Sequence, residues 1–197
     1  MVAVHGIMLR LARIMALLGG VVLLALIIIT CVSIVGRAAN TVLHSDLVMR
    51  LAPEVAQGLI GAGVGAVRGS FELVEAGMAF AIFAFLPFCQ ITMGHASVDI
   101  FAAAMPRWFR RVLDVAIAAL FALVLVVIAM QLNEGLQRKI GSGQTSLLLE
   151  FPIWWAYAAS LVGAVAAAVV AVWMALLRLY ELLTGRVVAP DAVGANH

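Results

Sequence analysis

Long apolar runs alternate along this chain with shorter stretches that hold most of its charge. Four runs, at about 14–36, 72–94, 112–133 and 152–177, have the length of roughly 20 residues that a helix needs to cross the hydrocarbon core of a bilayer. Lipid offers the backbone no hydrogen-bond partner, so each run is predicted to be a continuous helix. Pro87 falls inside the second run and is expected to kink it, because proline cannot donate to the carbonyl one turn back. The pattern predicts an all-α membrane protein with four transmembrane helices. Residues 1–180 are expected to form one membrane domain, and the polar segment 181–197 a disordered tail. The first run, of about 23 residues, exceeds the roughly 7–15 of a signal-peptide core and is expected to remain as a span.

The stretches between the runs carry weaker patterns. In the first loop Asp46, Arg50, Glu54 and Gln57 recur at helical spacing, with Leu47, Leu51 and Val55 on a neighbouring face. This predicts a short amphipathic helix, broken near Pro53, lying on lipid or on a partner; a mobile loop with local helicity is the alternative. Gly58, Gly61, Gly63, Gly65 and Gly69 follow, without the spacing or the lysine of a phosphate-binding loop, and read as flexible backbone or tight packing. The middle loop is expected to hold a second interfacial helix ending near Pro106. Phe101, Met105 and Trp108 would face the membrane surface, with Arg107, Arg110 and Arg111 at the headgroups. In the third loop Pro152 suits a helix first turn, and Trp154, Trp155 and Tyr157 suit an aromatic belt.

Composition strengthens the membrane reading. The 197 residues are 65% hydrophobic and 11% charged, with mean hydropathy +1.17. Soluble domains are about 45–50% apolar and about 25% charged, and a chain this small cannot hide so much apolar surface within itself. The net charge of +2 is too small and scattered for nucleic-acid binding. Seven basic residues fall on the side of the two termini and five on the other, which places both termini in the cytoplasm.

Candidate chemistry is sparse. Cys31 and Cys89 lie inside apolar runs, away from any CxxC spacing. His95 and Asp99, four apart, are too few for a metal site, and no nucleophile–histidine arrangement is visible. No cofactor or catalytic residue is expected. Glu72 and Glu75 share a helical face at the start of the second span. They read either as dipole-compensating residues at a helix end or as partners for Arg37, Arg68 or another subunit. Two rows of small residues in the fourth span, Ala156, Ser160, Ala164, Ala168 and Ala159, Gly163, Ala167, Ala171, permit close approach of another helix, either internal or from a partner. Charge is missing from the span centres, where transport paths and proton relays normally need it. A helper subunit that scaffolds another protein is therefore the expected role.

The order of loop and span motifs resembles the small four-helix membrane subunit of tripartite ATP-independent periplasmic (TRAP) transporters, the DctQ-like family. The resemblance covers about 11–180. It rests on Arg37 after the first span, on Phe71-Glu72-Leu73 and Glu75 opening the second, and on Gly94-His95 with Val98-Asp99 after it. Pro106, Arg110-Arg111 and Leu113-Asp114 stand before the third span. Gly143 to Ser146, Leu149, Phe151-Pro152, Trp154 and Tyr157 lead into the fourth. Two features depart from the family: the first loop is longer, and Phe71 stands where a tryptophan is common.

The resemblance implies two partners, a large multi-helix permease subunit and a periplasmic solute-binding protein. It implies residence in the bacterial inner membrane and sodium-driven uptake of an organic acid, with this subunit as static scaffold. Arg37, Glu72, Glu75, His95, Asp99, Arg110, Arg111, Ser160 and Gly163 are the expected interface residues. Arg107, Trp108, Trp154 and Trp155 are the expected membrane anchors. The competing expectation is a stand-alone membrane scaffold or assembly protein unrelated to solute uptake.

Overall fold

In a computed structural model of the chain, residues 2–92 and 107–185 are described. The elements are α1 (Val2–Leu43), α2 (Asp46–Leu51), α3 (Pro53–Gly61), α4 (Ser70–Ile91), α5 (Arg107–Ser142) and α6 (Trp154–Thr184). Four of them, α1, α4, α5 and α6, are long and apolar enough to cross a membrane. The protein is an all-α membrane protein. Helices α1 and α5 run past both ends of the apolar stretches that the sequence marks and α6 past the end of its own, whereas α4 keeps close to its stretch. An amphipathic end costs little to keep helical once a hydrogen-bonded ladder is propagating, because each further residue adds one bond.

Helix α6 is the centre of the bundle. More than half of its membrane-crossing stretch is buried, against less than a third for each of the other three. It packs on α5, on α4 and, near its end, on α1, while α1 packs chiefly on α4. The reason lies in its small side chains. Ser160, Gly163, Ala164, Ala166, Ala167, Ala168 and Ala171 are all buried, and side chains this small let the neighbouring helices come close. Without a hydrophobic drive between helices in lipid, close backbone approach and dispersion must supply the association.

Named contacts give the register. Along α1 and α4, Gly19 meets Ala84 and Gly77 meets Leu26, and the buried Ser33 and Ser70 hydroxyls lie 3.1 Å apart. One index rises as the other falls, so this pair is antiparallel. On the other side Gly163 of α6 lies against Phe83 and Ala84 of α4. At the far end of α4 and α6, Ala12, Ile91, Val170, Met174 and Leu177 form one buried cluster. A second cluster joins Ala122 and Leu125 of α5 to Ala167, Ala168 and Ala171 of α6. Elsewhere the outer faces of α1 and α5 are lined by exposed leucine, isoleucine and valine, which only lipid or another membrane protein can cover.

Pro87 is buried inside α4, which continues through it as one helix. The first loop forms two short helices, divided next to Pro53. The break is at Ala52, and Pro53 takes the first position of α3, where its missing N–H costs nothing. Ala56 is buried, whereas Leu51, Val55 and Leu59 are exposed apolar residues. Pro152, expected in the first turn of the fourth helix, instead sits ahead of it in a β-bridge with Thr145. The helix starts at Trp154, because Pro152 is held by that bridge while Trp155 and Ala156 make tight turn bonds to Pro152 and Ile153. The helix expected in the middle loop before Pro106 lies outside the described residues.

Candidate functional site

The loop between α5 and α6 folds back across the start of α4. Ser146 N–H donates to the Phe151 carbonyl at 2.9 Å and Ile153 N–H to the Gln144 carbonyl at 3.0 Å, closing a narrow hairpin. Its tip is held by Glu72. The Leu148 N–H donates to one carboxylate oxygen at 2.8 Å, and the Leu149 N–H to the other at 3.1 Å. Gly69, at φ +70°, caps α4 beneath this tip, and any Cβ there would run into the Leu149 side chain. The left-handed backbone and the close approach both call for glycine.

This arrangement adds a role to those expected for Glu72. The carboxylate lies in the first turn of α4, where an anion suits the helix dipole, and does not pair with Arg37 or Arg68 among the described residues. It is used to dock a loop more than 70 residues away. Arg37 lies instead over the Phe71 ring, 5.9 Å from guanidinium carbon to centroid, where the negative face of the ring attracts the cation. Glu75, one turn on, is exposed and makes no hydrogen bond or ion pair among the described residues.

Ser160 and Gly163 meet their own chain. Ser160 is 2% exposed, and a Cβ on Gly163 would stand 2.9 Å from the Phe83 Cβ and 3.2 Å from the Phe83 carbonyl carbon. The expectation that Gly163 faces a partner therefore gives way to helix packing inside the subunit, where α4 occupies the space it leaves; Ser160 is buried beside an unfilled slot between α4 and α5. Arg110, Arg111 and Trp108 are exposed on the first turns of α5. Trp154 and Trp155 are exposed at the start of α6, edge to face with centroids 6.1 Å apart. Arg107 opens α5. His95 and Asp99 lie outside the described residues.

Two features were not anticipated from the sequence. Arg178 and Glu181 form an ion pair of 2.7 Å with side chains only 10% and 9% exposed. The (i, i+3) spacing was a usable signal, had α6 been extended past 177. The other is a cavity of about 480 Å³ between α4 and α5, floored by α6 and roofed by the hairpin. Glu75, Ser160, Tyr157, Phe83 and Leu132 contribute to its lining. No sequence pattern marks it, since its walls come from four separate segments. Among the described residues no three of His, Cys, Asp and Glu gather as a metal site.

Compared with known proteins, residues 60–182, well over half of the chain, match the family model described as "Tripartite ATP-independent periplasmic transporters, DctQ component". The match takes in the three later membrane helices and the hairpin that Glu72 holds, and leaves α1 and α2 outside. No curated protein and no solved structure matches the chain.

Proposed function

Because the chain belongs to the DctQ family of TRAP transporter components, we propose that it is the static scaffold of a sodium-driven importer of an organic acid. A family of transporter components is not an enzyme family, and its members work with a large permease and a solute-binding protein. The single observation that carries the reading is the family match over the spans. The sequence adds a physical argument: residues 115–131 of α5 and 154–177 of α6 contain no charge that a travelling anion could use. The work of translocation then belongs to the large subunit.

In this reading the subunit acts by immobilising one layer of the assembly. The small-residue rows of α6 hold the subunit itself together, so the large permease meets an outer face, that of α1 or of α5, where apolar side chains stand uncovered. Trp108, Arg110 and Arg111 grip one membrane surface and Trp154 and Trp155 the other, fixing the depth of the scaffold. Both termini lie in the cytoplasm of a bacterial inner-membrane protein, which puts the Glu72 hairpin on the periplasmic side. A fixed layer lets the substrate-carrying part shift without dragging the whole complex.

The test is coexpression with a large TRAP permease subunit from the same genome, followed by purification and reconstitution. The two chains should copurify, and vesicles should accumulate solute only with both membrane subunits, the solute-binding protein and an inward sodium gradient. Accumulation by this chain alone, or full uptake in its absence, would overturn the proposal.

A further inference from the structure

We propose that the cavity between α4 and α5 binds a lipid with a primary-ammonium headgroup, of the ethanolamine phospholipid class. The cavity arises because α4 and α5 both pack on α6 but hardly on each other, while Ala76, Ala79 and Ala156 leave the intervening slot unfilled. Its volume of about 480 Å³ is more than one side chain fills and falls within the roughly 300–1,000 Å³ of small-molecule sites.

Polarity is graded along the slot. Glu75 stands at the end beneath the hairpin, whereas Phe83 lies eight residues further along α4, about 12 Å deeper at the rise of an α-helix. A bilayer amphiphile has that order, headgroup outward and chain inward. The charge also selects. Among the described residues no lysine or arginine lines the slot. The Glu72 carboxylate is already met by two backbone N–H groups, but Glu75 has no such partner. Deeper in, Ser160 is 2% exposed as a residue, and its hydroxyl makes no hydrogen bond among the described residues. The Ser160 hydroxyl can donate to an ester oxygen of a lipid, and the carboxylate at the outer end asks for N–H donors. An ammonium of the ethanolamine type carries three, and a choline headgroup carries none. The proposal does not depend on the transport role.

The experiment is native mass spectrometry of the full chain in micelles containing equal amounts of ethanolamine, choline and glycerol phospholipids. The ethanolamine lipid should be retained preferentially. Glu75→Gln should lower its retention at least about tenfold, the scale of one charge-assisted hydrogen bond, and Glu75→Asp should keep the preference. Equal retention of the three lipids, or a preference untouched by Glu75→Gln, would overturn the proposal. Loss of the large subunit from the purified Glu75→Gln complex with no change in bound lipid would also overturn it, by giving the slot to a protein side chain.

Discussion

The Glu72 carboxylate accepts the Leu148 N–H at 2.8 Å across 76 residues of chain. This bond and its twin to Leu149 join the start of α4 to the hairpin that leads into α6. The side chains of Leu147 and Leu148 add little hold on the tip, for both are among the most exposed residues. Glu72→Ala should therefore speed hydrogen exchange at the Leu148 and Leu149 amides while leaving the buried half of α6 unchanged. Glu72→Gln, which keeps an acceptor oxygen, should fall between the two.

Gly163 sets the approach of α6 to α4. With its added Cβ at 2.9 Å from the Phe83 Cβ and 3.2 Å from backbone, Gly163→Ala forces the helices apart. The expected loss is about 1–3 kcal/mol, the range for overpacking, and Gly163→Val should lose more. Thermal unfolding in detergent measures both. Val162→Ala, on an exposed position of the same helix, should shift the midpoint little.

The buried hydroxyls of Ser33 and Ser70 bridge α1 and α4 at 3.1 Å. Interhelical hydrogen bonds in membranes average about 0.6 kcal/mol, with a maximum near 1.7. Ser33→Ala and Ser70→Ala should each cost about that much. The double variant should cost less than the sum of the two, since the second change removes a partner already lost. A double-mutant cycle by thermal unfolding reads the coupling.

Arg178 and Glu181 are paired at 2.7 Å and nearly covered. Removing one partner takes this contact from a nearly covered charge, which costs stability, with about 3–5 kcal/mol as the upper bound. Glu181→Ala and Arg178→Met should each lower the yield of folded protein sharply. Replacing both by apolar residues of similar volume should restore much of it, because the pair carries its own desolvation cost. Folded yield by size-exclusion profile distinguishes these outcomes.

The spans were legible because bilayer thickness imposes a length and lipid imposes composition, and both act on consecutive residues. The break before Pro53 was legible for a similar local reason, as proline constrains its own turn. The functional surfaces were less so. The small rows of α6 announce close packing, yet Ser160 and Gly163 look the same in sequence whether they meet α4 or another subunit. Glu72 shows an acidic helix start, but nothing local says that its acceptors face Leu148 and Leu149.

What this sequence determines alone is a membrane protein of four helices, the absence of charge from the cores of α5 and α6, and motifs enough to resemble its family. Periodicity, run length and side-chain volume are properties of neighbouring positions, and they suffice for that. Only the tertiary structure decided that α6 is the hub, that Glu72 clasps a distant hairpin, and that a slot stays open beside Glu75. Each depends on which helices lie side by side, and segments far apart in the chain settle that through packing volume and hydrogen-bond geometry.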